Sequence, residues 1–123
     1  MPRSVEYFIN DMLEHGRRAL AKIRQAEAEA RQDDDDLKEV ILYNIIILDE
    51  ASTHIPAALK DEFPGISWSR IKRLRNLVAH VYLGLDWEVT LRVSRTFLPK
   101  LLTELEVMTA RYPISDTTNG GKQ

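Results

Sequence analysis

Four polar side chains fall close together near the middle of the sequence: Arg75, Asn76, His80 and Tyr82. Their types suit metal-free cleavage of a phosphodiester that carries its own nucleophile, as RNA does in its 2′-hydroxyl. His80 can accept or release a proton near neutral pH. Arg75 presents a rigid fork of donors to phosphate oxygens and stays charged throughout. Asn76 can orient the imidazole or hold a phosphate or ribose, and Tyr82 can stack or hydrogen-bond. On a helix turning 100° per residue, Asn76 and His80 lie nearly on one line and Arg75 and Tyr82 on another. Arg75 and His80 are about 140° apart around the axis, so they converge only where the helix distorts, for which the nearby Gly84 offers a place. One histidine cannot be base and acid at once, so water or a second subunit must supply the other role. Spacing alone also fits a plain surface cation and a helix-end histidine with satisfied hydrogen bonds.

Around this segment Arg70, Lys72, Arg73 and Arg75 form a cationic cluster that can hold phosphates although the net charge is −2. Lys72 and Arg73 are therefore candidates for substrate binding, while a solvated helix face fits the composition equally. Other chemistries find little footing. His15 and His54 read as surface or helix-boundary residues, since no ligand set surrounds them at metal spacing. The run Asp33 to Asp36 lacks the Gly and distal Glu of a calcium loop and reads as a solvated connector. Asp49 and Glu50, being adjacent, face apart on a helix and read as surface-paired. Trp68 and Trp87 read as core plugs. No metal or cofactor is expected. Cys is absent from the 123 residues, which excludes disulfides and thiolate metal sites and fits a reducing compartment. The start of the chain has no apolar signal core, and the longest apolar run, Ile45 to Leu48, is far short of the roughly 18 residues of a membrane span. A cytoplasmic location with no membrane partner is expected.

The elements that must carry these side chains are helices. Apolar residues recur at helical steps over 4–32, with a polar second half expected to project into solvent, and over 37–61, where Asp36 with Glu39 suggests a capping box. Pro56 predicts a kink or restart near His54. Ser67 can cap a third helix with Trp68, Ile71, Leu74, Leu77, Val78 and Val81 inward, ended by Gly84. Asp86 can cap a last helix over 87–112 whose stripe is Val89, Val93, Phe97, Leu101, Leu105 and Met108, with a bend at Pro99 and a stop at Pro113. No strand pattern is present. Composition, with 44% hydrophobic and 29% charged residues, is that of a folded globular chain. The expectation is an all-α, up-and-down bundle of four to five helices spanning 1–112, followed by a flexible tail, 113–123. The Ile45 to Leu48 run is apolar almost all round its helix, which places it centrally or under a second subunit and favours a homodimer.

The segment from Trp68 to Tyr82, with its Arg-Asn-Leu-Val-Ala-His-Val-Tyr core, followed by Leu83-Gly84-Leu85-Asp86, resembles the HepT group of HEPN domains. That group carries R-x-x-x-x-H-x-Y, usually as R-N-x-x-x-H, after a Trp and before a short turn into the last helix. The stretch from Ile41 to Ala51 sits where the group has an apolar helix ending in Gly-Glu-Ala, with Asp49 here in place of the Gly. Leu98-Pro99-Lys100-Leu101 matches its Leu-Pro-x-Leu step. The resemblance spans 40–105. It implies a HEPN-like homodimer with two motifs facing a shared cleft, in which Arg75 and His80 are the ribonuclease residues and Asn76 the polar neighbour. It further implies the toxin of a toxin–antitoxin system, cutting RNA (tRNA among the candidates) without metal. A nucleotidyltransferase antitoxin of the MNT kind would neutralise it by transferring AMP to Tyr82, placing bulk and phosphate charge in an RNA-phosphate site. HEPN domains also occur as non-catalytic nucleotide-binding or partner modules for such a nucleotidyltransferase, and the motif does not separate the two.

Overall fold

Five helices carry the apolar repeats in the computed structural model, which describes residues 4–80 and 87–114. They are α1 (Val5–Ala28), α2 (Asp35–Thr53), the one-turn α3 (Ala57–Lys60), α4 (Trp68–Ala79) and α5 (Trp87–Arg111). The expected all-α, up-and-down bundle is what the chain forms. Among the described residues there is no strand, and no helix is long and apolar enough to cross a membrane. Val81, Tyr82, Gly84, Asp86 and most of the expected tail lie outside the described residues.

α1 supplies the spine. Ile9, Met12, Ala19 and Ile23 are fully buried on its inner stripe against α2 and α5. Gly16 lies on that stripe where a Cβ would stand 2.8 Å from Cδ2 of Leu102 on α5, so a larger residue would make the leucine side chain give way. The helix ends at Ala28 and does not run on to 32 as a solvent projection. Ala30 turns left-handed at φ 53, its N–H reaches the Glu27 carbonyl at 3.3 Å, and the Arg31 N–H reaches that of Ala26 at 2.7 Å. This is a Schellman closure with alanine where glycine is usual.

α2 is capped by Asp34, not Asp36. The Asp34 carboxylate accepts from the Leu37 N–H at 3.0 Å, and Arg31 donates to its other oxygen at 2.7 Å. The Arg31 hydrogen bond first, then the backbone, hold this carboxyl below the usual carboxylate range. Arg31 thus closes one helix and secures the cap of the next, a role invisible in a four-aspartate run. Ile41, Ile45 and Leu48 are fully buried, while Val40, Tyr43 and Ile46 face outward, so α2 keeps apolar side chains on its exposed face. The helix stops at Thr53 with His54 as C-cap, and Pro56 starts α3, the restart that a ring without an N–H imposes.

α4 buries only Ile71, Leu74 and Val78. Ser67 sits at its N-cap but makes no side-chain cap bond; its carbonyl instead takes the Arg70 N–H at 2.9 Å. α5 departs from expectation in its first half. Val89 and Val93 are exposed, and Trp87, Thr90, Leu91, Ser94 and Leu98 are buried in their place. Small polar residues fit the tight face because they satisfy themselves locally: the Ser94 hydroxyl donates to the Thr90 carbonyl at 2.8 Å. The helix runs through Pro99 uninterrupted to Arg111.

Ala30→Gly should raise the unfolding free energy by about 0.5–1 kcal/mol in denaturant titration, the left-handed penalty removed less the entropy that glycine adds to the unfolded chain. Asp34→Ala should lower the unfolding midpoint at neutral pH. Because the folded carboxyl titrates below the unfolded one, its contribution is present above the ordinary carboxylate range and lost as pH falls through the depressed value. The mutant and parent midpoints should therefore converge in acid, as circular dichroism melts across pH would register.

Candidate active site

The motif helix is held to α2 by a buried carboxylate. Asp49 is 5% exposed and accepts from the Lys72 ammonium at 2.7 Å, with Nε of Arg75 at 4.0 Å from the same oxygen. Surface pairing is the sequence-based expectation for Asp49 and Glu50, and it holds for Glu50 alone, whose carboxylate meets His54 Nε2 at 3.2 Å. Asp49 points inward because α2 turns its Ile45–Leu48–Ser52 face to the core, and the carboxylate rides at the edge of that face under α4. Where the HepT group usually has Gly, this chain has a negative charge beneath its cationic cluster.

That contact sorts the candidate residues. Arg75 is half-buried on the α2 flank, and its Nη1 donates to the Asn76 side-chain oxygen at 3.1 Å. Lys72 is engaged by Asp49, whereas Arg73 stays exposed on the other flank. His80 is the exposed C-cap of α4, with φ −81 and ψ −3. α4 is regular up to Ala79, so Arg75 and His80 keep their separation of about 140° around the axis. Tyr82 lies outside the described residues.

Arg75, Asn76 and His80 are not among the residues that line the groove beside α4. That groove, of about 510 Å³, lies between α4 and α5, lined by Arg70, Arg73, Leu74, Leu77, Arg92, Val93, Thr96, Phe97 and Lys100. Asp49 draws Arg75 to the opposite flank, and the α4–α5 seam is the loosest of the main helix pairs, so the space opens there. Sequence reasoning missed Arg92, Thr96 and Lys100, although their four-residue spacing puts them on one line of a helix. The remaining histidines are structural. His15 Nδ1 pairs with the buried Asn44 at 2.8 Å, and His54 stacks on Phe8 at 4.3 Å between ring centres.

The fold and the motif define an all-α domain presenting an Arg–Asn pair on one flank of a short helix and a histidine at its end. Comparison with known proteins is consistent with that class and narrows it. Residues 12–108 match the family described as "Ribonuclease HepT-like", and the chain belongs to this family. A protein of Methanocaldococcus jannaschii that carries an RNase name is 24% identical over 106 residues, 86% of this chain and 97% of that protein. Another of the same organism with an RNase name is 22% identical over 107 residues, 86% and 88% of the two chains. A Thermococcus cleftensis protein named as a ribonuclease HepT is 33% identical over 60 residues, 49% of this chain and 54% of that one. No solved structure matches.

Lys72→Met should cost about 1–2 kcal/mol in denaturant unfolding, less than the roughly 3–5 kcal/mol of a fully buried pair because Lys72 is half-exposed. Adding Asp49→Asn should recover most of the loss. A double-mutant cycle with no coupling between the two positions would mean that the ion pair does not hold α4 to α2.

Proposed function

We propose that this chain is an endoribonuclease toxin that works as a homodimer and needs no metal. The observation that carries the proposal is the R-N-x-x-x-H segment at the exposed end of α4 in a chain of the HepT-like ribonuclease family. In the proposed reaction the 2′-hydroxyl attacks the adjacent phosphorus, its proton leaves to a base, and the 5′-oxygen departs with a proton from an acid. The products are a 2′,3′-cyclic phosphate and a 5′-hydroxyl. His80 moves one of these protons, and Arg75 stabilises the charge that builds on the phosphoryl oxygens. Asn76 and Tyr82 position substrate, with Lys72 and Arg73 contributing to phosphate binding. The angular separation of Arg75 and His80 on one helix supports the dimer: a second copy can bring its own imidazole or guanidinium to the phosphate. The outward Val40, Tyr43 and Ile46 on α2 offer apolar surface for that association. An MNT-type nucleotidyltransferase is the proposed antitoxin, transferring AMP from ATP to the Tyr82 hydroxyl with loss of pyrophosphate.

One observation favours a second reading, a non-catalytic nucleotide-binding partner of the nucleotidyltransferase. Asp49 already occupies Lys72 and lies beside Arg75, which lowers the positive charge left for a scissile phosphate.

Purified protein should cleave single-stranded RNA in EDTA and leave cyclic-phosphate ends. His80→Ala should slow cleavage about 10²–10⁴-fold and Arg75→Ala about 10²–10³-fold, with both variants folded by circular dichroism. Undiminished cleavage by both would end the nuclease assignment. Tight ATP binding by calorimetry with no cleavage would favour the second reading.

A further inference from the structure

The α4–α5 groove brings four cations, Arg70, Arg73, Arg92 and Lys100, around one hollow, and among the described residues no acidic side chain lines it. This is not a reflection of composition, since the chain as a whole carries −2. Several cations elsewhere are neutralised: Arg17 by Glu106, Arg18 by Glu14, Arg31 by Asp34 and Lys72 by Asp49. Among the described residues no ion pair engages any of the four groove cations. The floor between them is apolar, with the half-buried Phe97 beside the exposed Val93. Positive rim and apolar floor together match a ligand that alternates anionic groups with flat, unpaired rings.

We propose that this groove binds a single-stranded segment of RNA, its phosphates on Arg70, Arg73, Arg92 and Lys100 and an unpaired base against Phe97. The assignment rests on the ribonuclease reading and extends it to a region that the motif does not touch. Geometry favours it. Along α5, Arg92 and Lys100 flank Thr96 at four-residue steps, about 6 Å of helix rise each, and so form a ladder for successive phosphates. On α4, His80 lies seven residues beyond Arg73, two turns further and about 20° around the axis, so the groove flank of the helix leads to the imidazole. Arg75 has no such relation to the groove. A duplex would seal its bases away from the floor, whereas an unpaired strand can seat a base there. A volume of about 510 Å³ is that of a ligand cleft and suits one or two nucleotides.

The test measures binding apart from cleavage. A short fluorescent 2′-O-methyl oligoribonucleotide, which cannot form the cyclic phosphate, is titrated by anisotropy across a range of salt concentrations with the full chain. Arg70→Ala/Arg92→Ala/Lys100→Ala alters exposed side chains only. It should weaken binding at least about tenfold at low salt and flatten the log–log salt slope by about 2, roughly 0.7 for each phosphate no longer neutralised. Phe97→Leu should weaken binding about tenfold while Phe97→Tyr keeps it, because the tyrosine ring still stacks. Unchanged affinity and slope in the triple variant would overturn the proposal, as would equal affinity for the matching duplex or no binding by the parent protein. Val93→Glu provides a further arm: a dimer broken by it, with RNA affinity intact, would put a second copy in the groove and overturn the proposal. The two readings fail separately. Groove-dependent binding without cleavage by the parent protein sinks the nuclease assignment alone; cleavage by the parent with a triple variant that binds normally sinks the groove alone.

Discussion

A single carboxylate at the join of two helices governs how this molecule presents its charge. Asp49 sits at the edge of the buried face of α2 and takes the Lys72 ammonium, with Arg75 alongside. A carboxylate this far from water must keep its partners, so α4 is held in one rotational setting against α2. The rest follows from the pitch of the helix. Once Lys72 and Arg75 face α2, Arg70 and Arg73 must face α5, and the histidine at the helix end belongs to the second flank and not the first. The cationic cluster, continuous in sequence, is divided in space into a neutralised half and an unneutralised one.

The division bears on how a domain with one motif histidine can act on a phosphodiester. On one regular helix the guanidinium and imidazole side chains start about 140° apart, and association between copies belongs to the proposed reading of the site. The α2 flank carries an oriented, half-buried arginine beside a buried carboxylate, whereas the α5 flank carries exposed cations that no ion pair engages among the described residues.

Much of the fold is legible in the sequence because periodicity reports burial directly. The inward residues Ile9, Met12, Ile23, Ile41, Leu48, Ile71, Leu74, Leu105 and Met108 all lie on the stripes that their spacing draws. What is not legible depends on partners distant in sequence or on local backbone chemistry. Nothing in the Asp33 to Asp36 run distinguishes which aspartate will cap; Arg31 selects Asp34 by closing over it. Hydrophobicity alone turns Val89 and Val93 inward, yet the small Thr90 and Ser94 take the buried positions, where the Ser94 hydroxyl bonds to its own helix. For the candidate site, the motif supplies residue types but not which flank each occupies. Asp49 is visible as a departure from the HepT pattern, and only the packing of α4 on α2 reveals that it faces a lysine.

The bare stretch of α1 at Gly16 has a reach well beyond its own neighbourhood. Leu102 leans into the space a methyl group would fill there, and it belongs to the same rigid rod that bears Phe97 and Lys100 about a turn away. The packing of α1 on α5 at this level thus uses the space that a side chain at position 16 would take. Since α4 touches α5 only lightly, displacement of that rod would be taken up at the open seam and not in the core. Gly16 acts as a shim in reverse: its emptiness lets Leu102 seat against α1.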